Sequence, residues 1–377
     1  MRCATATLPS ERRCPYHDSL STLIDAVARP GPRRSLRREF ASVAAEGIDG
    51  TALRVRVPAK LNLFLAVRGR RADGYHELVT VFQTVSVYDD LRVALLGLPG
   101  RRHHPAARRH MRVELWADPM LPQGRDNLAL RAALRLGELS GIVPAEGGAD
   151  RDAVRTIIDL DKQIPLTAGM AGGSADAAGV LVALNRLWRC GLSVDQLRAV
   201  AAELGSDVPF CVTGGTALGS GRGTDITPVL ARGPFHWVIC PDVEPLSTPE
   251  VYRAWDRRSR PLDARADEVL YAVRSTDPGR LAAALHNELE EAAFSLRPEL
   301  RTRKQQLLES GALAAVLAGS GPTLLALAAD EPAAHALAVA IEHWCPQAIV
   351  ATSPAGGPEL SRDAGLSDTG PLLRTLE

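Results

Sequence analysis

Apolar residues recur along this chain in two rhythms. Val180, Leu181, Leu184, Leu187 and Trp188 fall on one face at a 3.6-residue spacing, which predicts an amphipathic helix. Ala175, Ala177 and Ala178 favour that helix, and Ser174 is the candidate cap. Gly179 is the exception, costing about 1 kcal/mol relative to Ala unless a close helix contact requires it. A second amphipathic helix is predicted over roughly 193–204. Strand-like runs cover 53–67, 78–95, 111–116 and 154–161, with a helix over 126–141. From 235 the pattern reads strand, helix (roughly 263–274), helix (277–294) and helix (298–308). Strand (313–318), strand (323–329) and helix (332–344) follow. Such a mixed order, without strict βαβ alternation, predicts an α+β fold.

The segment just ahead of the first helix carries the chemistry. Residues 165–179 read Pro-Leu-Thr-Ala-Gly-Met-Ala-Gly-Gly-Ser-Ala-Asp-Ala-Ala-Gly. A loop of small residues lets backbone N–H groups approach a ligand, and the helix start adds unpaired N–H groups and partial positive charge. Together they make an anion site suited to phosphate, which points to a nucleotide. The loop is not a Walker A loop, because no Gly-Lys pair occurs in the chain. Nor does it have the three-glycine spacing of a dinucleotide fingerprint.

Composition narrows the classes. The 377 residues suffice for two domains, and a formal net charge of zero implies no polyelectrolyte partner, so neither nucleic acid nor membrane is expected. Six dispersed cysteines without a Cys-x-x-Cys pair argue against structural zinc and for a reducing compartment, and a cytoplasmic location is expected. No apolar run reaches the length of a membrane span. Residues 1–50 are Arg-rich and lack the apolar core of a secretory signal. They read as a disordered arm, a regulatory extension or sequence upstream of the true start. Residues 98–110 read as a solvated basic loop, and 356–377 as a flexible tail.

Four segments together resemble a known family. They are Pro58-Ala59-Lys60-Leu61-Asn62 with Ala72-Asp73-Gly74-Tyr75-His76, the Gly169–Ala175 loop, Gly205-Ser206-Asp207-Val208-Pro209 and Gly319-Ser320-Gly321-Pro322-Thr323. The loop resembles that of the GHMP kinases. The order and spacing of all four are similar to the 4-diphosphocytidyl-2-C-methyl-D-erythritol kinases, over residues 52 to 355. The resemblance implies the GHMP kinase fold. That fold pairs an N-terminal domain like ribosomal protein S5 domain 2 (51–231) with a ferredoxin-like C-terminal domain (232–355) and a cleft between them. It also implies ATP and Mg²⁺ as cofactors, and transfer of the γ-phosphate to the 2-hydroxyl of a small molecule carrying cytidine diphosphate. An acceptor such as mevalonate or homoserine is the alternative. The enzyme would be a monomer or homodimer.

Individual roles come from the same resemblance. Lys60 is one of three lysines against 41 arginines; by itself it reads as a strand-edge cation, and the family motif sets it beside a catalytic aspartate. That aspartate is Asp207, a plain turn cap on local pattern and a general base by resemblance. Pro165, Ala168, Gly169, Met170, Ala171, Gly172, Gly173, Ser174 and Ala175 are the implied ATP loop, with Ser174 on phosphate or Mg²⁺. Lys162 is expected to reach the nucleotide. Asn127, otherwise a helix N-cap, is expected near it too. On the substrate side Tyr75 stacks on the cytosine, His76 bonds its edge, and Tyr252 covers its second face. Thr248 and Asn62 lie nearby. Gly319, Ser320 and Gly321 form either a phosphate nest or a simple loop. The Mg²⁺ ligands are not assigned.

Overall fold

The computed structural model describes residues 50–96, 110–144, 154–242, 244–258 and 265–362. The expectations for the N-terminal extension, most of the basic loop and the end of the tail fall outside the described residues.

The first half is built on a long hairpin. Strand β1 (Gly50–Arg70) pairs antiparallel with β2 (His76–Leu96) along its whole length, with register shifts at Pro58/Ala59, Asn62/Phe64 and Val67/Gly69. At its start β1 alternates buried Leu53, Val55 and Val57 with exposed Arg54 and Arg56, the mark of a strand with one wet face. From residue 58 to 67 every position is buried, because other elements cover both sides. The chain continues through β3 (His110–Trp116), α1 (Leu128–Leu139), β4 (Val143–Pro144) and β5 (Val154–Asp161). Helices α2 (Gly172–Leu187), α3 (Val194–Leu204) and α4 (Val208–Thr213) follow, then β6 (Thr216–Ser220) and β7 (Asp225–Pro228). The sheet begins with a late strand, β13 (Glu359–Arg362), and runs β13-β1-β2-β5-β3-β4, with β6 also on β2 and a short strand β9 (His286–Asn287) on β1. Helix α2 lies against β1 so closely that a Cβ on Gly179 would stand 2.6 Å from Val57 Cγ1. That is the tight contact that admits glycine there.

The second half holds β8 (Phe235–Cys240), α5 (Thr248–Arg258), α6 (Asp267–Ala272), α7 (Pro278–Ala284), β9 (His286–Asn287), α8 (Glu290–Leu296) and α9 (Glu299–Glu309). After them come β10 (Ala314–Leu317), β11 (Leu324–Ala328), α10 (Glu331–Ile341), β12 (Ile349–Ser353) and β13 (Glu359–Arg362). Its four-stranded antiparallel sheet has the order β10-β11-β8-β12, with helical connections after β8 and β11. Numbered within that sheet the order is 2-3-1-4, the ferredoxin-like arrangement that the family resemblance implied.

Three expectations are corrected. The helix predicted over 277–294 is broken at β9, whose His286 and Asn287 pair parallel with Phe64 and Leu65 of β1. The Asn287 side chain redirects the backbone: its Oδ1 accepts from Leu289 N, and its amide donates to the carbonyls of Leu317 and Gly319. Second, the expected tail is not free from residue 356, since Glu359–Arg362 forms β13 on the outer edge of β1. Third, Ser174 does not cap α2. That helix starts two residues earlier, at Gly172, with Ala171 in a left-handed conformation (φ 58°) and no side-chain cap.

Candidate active site

Two glycine turns meet at the base of a cleft of about 870 Å³. The first is the loop before α2, in which Thr167, Gly169 and Ala171 all have positive φ. A Cβ on Gly169 would collide with the Ala318 carbonyl oxygen. Only glycine lets this loop seat against the second turn, Gly319-Ser320-Gly321, where Gly319 and Gly321 are also left-handed (φ 56° and 85°). Pro165, Ala168, Gly169, Ala171, Gly172 and Gly173 line the cleft, as do Gly319, Ser320 and Gly321. Met170 and Ala175 are buried behind the loop, where the Met170 carbonyl accepts from Lys60 N at 3.1 Å. Because Gly172 and Gly173 open α2 without a capping side chain, their edge of the cleft presents bare backbone N–H groups.

Lys60 and Asp207 face each other at this junction. Lys60 comes from β1, where the strand is buried on both sides, and it is 4% exposed. Its ammonium donates to Asn62 Oδ1 at 2.8 Å and stands 3.6 Å from Asp207 Oδ2. Asn62 is fixed in turn by a bond from its amide to Thr80 Oγ1 at 2.8 Å. Asp207 sits at the start of α4, but its carboxylate makes no capping bond. The cap expected from local pattern is absent, and the carboxylate is turned to the cleft instead. An ammonium and a carboxylate so placed can handle the proton and the charge of a bound hydroxyl.

Lys162, expected to reach the nucleotide, lines the cleft and has two acidic partners of its own. It is clamped between two carboxylates, bonding to Asp89 and, at 2.7 Å, to Asp176 Oδ2. Asp89 is fully buried, and its other oxygen accepts from Gln163 N (2.7 Å) and Ile164 N (2.8 Å). The three side chains therefore fasten the entry of the phosphate loop to the beginning of α2. Burial pulls the Lys162 ammonium down, but the two carboxylates outweigh it and hold its pKa above the ordinary lysine value. Burial pushes the Asp176 carboxyl up, against the pull of Lys162 and with the repulsion of Asp89.

The far wall is aromatic. Tyr252 of α5 stacks on His76 (centroids 4.7 Å apart, planes at 26°), and Trp255 meets His76 edge-on. His76 Nε2 bonds Asp256 Oδ1 at 2.8 Å. Tyr75 is 53% exposed at the rim, with the Arg222 guanidinium 4.8 Å over its ring. Thr248 Oγ1 bonds Ser320 Oγ at 2.7 Å, tying α5 to the second glycine turn. Burial, with the Asp207 charge second, raises the Tyr252 phenol above its usual range. Asn127 does not itself line the cleft, although its neighbour Leu128 packs beside Gly173. It caps α1 by accepting from Ala129 N, and its amide donates to Pro122 O, so the plain N-cap reading is the observed one.

Sequence reasoning missed Asp89, Asp256, Thr80, Arg222 and Asn287, and quoted Asp176 without a role. Asp89 had a signal, a carboxylate inside the apolar strand run 78–95. The helix of Thr248–Arg258 also had one, since Ser247-Thr248-Pro249-Glu250 is a helix-start signature.

Comparison with known proteins agrees with this architecture. Residues 127–215 match the GHMP kinases N terminal domain, and 269–347 match the GHMP kinases C terminal domain. A 4-diphosphocytidyl-2-C-methyl-D-erythritol kinase of Mycolicibacterium smegmatis is 45% identical over 299 residues, covering 78% of this chain and 87% of that protein. This chain belongs to that kinase family. The same enzyme of Saccharopolyspora erythraea is 44% identical over 319 residues, 83% of this chain and 95% of its own. A crystal structure of 4-(cytidine 5'-diphospho)-2C-methyl-D-erythritol kinase superposes with a TM-score of 0.61 at 33% identity, covering 80% of this chain and 100% of that one. A homoserine kinase from Cytophaga hutchinsonii gives the same TM-score at 20% identity, which speaks to the fold alone. Among the described residues no helix is long and apolar enough to cross a membrane.

Proposed function

We propose that this protein transfers the γ-phosphate of ATP to the 2-hydroxyl of 4-diphosphocytidyl-2-C-methyl-D-erythritol, a step of the methylerythritol phosphate route to isoprenoid precursors. The observation that carries the reading is one continuous cleft. It joins a phosphate loop, the Lys60–Asp207 pair and an aromatic wall suited to a nucleobase.

Asp207 takes the proton of the acceptor hydroxyl as that oxygen attacks the γ-phosphorus, and the bond to the β-phosphate oxygen breaks with loss of ADP. Lys60, held by Asn62, compensates negative charge on the attacking oxygen and transferring group. The loop from Pro165 to Gly173 holds the phosphates through backbone N–H groups, with the buried Asp89–Lys162–Asp176 set keeping that loop in shape. Tyr75, His76 and Tyr252 hold the cytosine, and Asp256 orients His76. Thr248 and the Ser320 turn close the substrate side.

The donors at the start of α2 fit a hard cation, namely the Ser174 hydroxyl and Asp176 Oδ1, a buried oxygen without a hydrogen-bond partner. No cluster of three ligating side chains occurs among the described residues, so phosphate oxygens and water would complete the shell. Mg²⁺ held there would supply positive charge that offsets the negative charge of the phosphates.

Turnover of the purified protein with Mg²⁺ and ATP tests the proposal, with the cytidylyl substrate compared against mevalonate and homoserine. Product from the cytidylyl substrate alone is expected. Phosphorylation of another alcohol in preference to it would overturn the acceptor.

A further inference from the structure

A second cavity, of about 130 Å³, lies behind the substrate-side glycine turn and has Pro322 in its wall. Two cysteines share that wall, together with Arg303, Asp242 and Trp344. Cys240 is the last residue of β8, opposite Leu324 of β11, and Cys345 follows α10. Both are free thiols, 4% and 2% exposed, and both face this one cavity, where their side chains influence each other's titration. Neither takes part in the phosphoryl-transfer site.

We propose that Cys240 and Cys345 form a dithiol modification site that two-electron oxidants of the hydroperoxide class convert to a disulfide. The cavity holds such a molecule easily, since a water occupies about 30 Å³ of liquid volume. Cys345 is the attacking sulfur. The bond from the Cys240 thiol and the Arg303 guanidinium hold its pKa below the ordinary thiol value, against the opposing effects of burial and Asp242. The Cys240 proton is retained by that same bond and by burial, which marks it as the resolving thiol. The Cys345 thiolate attacks the peroxide oxygen, the O–O bond breaks, and the leaving oxygen departs protonated as alcohol or water. Residue 345 is then a sulfenic acid. Cys240 sulfur attacks that sulfur, the S–O bond breaks, and the hydroxide leaves as water with the Cys240 proton. Two thiols have lost two electrons to the hydroperoxide, and the end of β8 is fastened to the connection beyond α10.

The other described cysteines lack this arrangement. Cys211 is buried with its pKa pushed up and no thiol partner, and Cys190 accepts a bond from the Ser140 hydroxyl at 3.0 Å. The experiment treats the full-length wild-type protein with hydrogen peroxide, blocks the remaining thiols, and maps peptides without reduction. A linked Cys240–Cys345 peptide is expected, with both residues lost to alkylation in equal measure and both recovered by dithiothreitol. In Cys240→Ser, dimedone is expected to capture a sulfenic acid at residue 345. If Cys240 and Cys345 remain alkylatable while Cys190 is oxidised, or if cross-links join other cysteines instead, the dithiol site is refuted. The wild-type map decides this even if the variant does not fold.

Discussion

The Lys60 ammonium stands 3.6 Å from the Asp207 carboxylate, too far for a good hydrogen bond and close enough for a hydroxyl to touch both. One residue comes from the middle of β1 and the other immediately precedes α4, so the gap is set by how strand and helix pack. Asn62 holds the Lys60 side of it at 2.8 Å. Asp207→Asn is therefore expected to lower kcat about 10²–10⁴-fold with little change in either KM. Lys60→Met should act on the same step, and the double variant should lose far less than the product of the two single effects. Steady-state rates at saturating substrates check this, and multiplicative losses would show that the two groups act independently.

The clamp around Lys162 predicts a pH dependence of stability. Burial drives the Asp176 carboxyl from 3.8 up to about 7 in the native state. Between those values the folded protein holds a proton that the unfolded chain has released, so this group's contribution falls as pH rises and levels off above about 7. Asp176→Asn removes the titration. Relative to wild type, the variant should gain on the order of 1–4 kcal/mol across that window. Urea midpoints measured at both ends of the window test it. Parallel curves for the two proteins would contradict the raised carboxyl.

The aromatic wall is expected to act on one substrate and not on the other. Tyr75→Ala and Tyr252→Ala should each raise KM for the cytidylyl substrate about 5–150-fold, corresponding to roughly 1–3 kcal/mol per stacked base. KM for ATP should stay within about twofold, because neither ring belongs to the glycine loop. Asp256→Asn should act in the same direction but less strongly, since it keeps a partner for His76 while removing the charge. An equal rise in KM for ATP would mean that these residues support the cleft as a whole.

Gly179 gives a packing test distant from the chemistry. Alanine is favoured over glycine in a helix by about 1 kcal/mol. Here the added methyl would meet Val57 Cγ1 at 2.6 Å. Overpacking of this kind costs about 1–3 kcal/mol, so Gly179→Ala should lower Tm slightly or leave it level, despite the better propensity. A clear rise in Tm would show that α2 can move off β1.

Much of the molecule was legible in the chain. The long hairpin and α2 each carry a recurrent spacing of apolar residues, and the four motifs lie in segments where backbone conformation and composition agree. The break at Asn287 was hidden because Leu281, Leu285, Leu289, Ala292 and Ala293 keep a helical spacing straight across it. What stops the helix is a side-chain amide bonded to carbonyls at Leu317 and Gly319, distant in sequence. The clamp on Lys162 was hidden for a related reason. Its partners Asp89 and Asp176 lie 73 and 14 residues away, and nothing local reveals that both turn inward. Asn127 was legible locally, since its capping signal is the bond it makes.

The short strand β9 carries a mechanical consequence. Through it, a segment of the second half is hydrogen-bonded into the first half's sheet beside Phe64 and Leu65, while Asn287 grips the turn that floors the substrate side. A jaw-like opening between the halves would have to tear those bonds. The cleft is thus preassembled rather than hinged. Motions that admit and release ligands must come from its rim, where Tyr75 and Arg222 stand, and not from swinging of one half against the other.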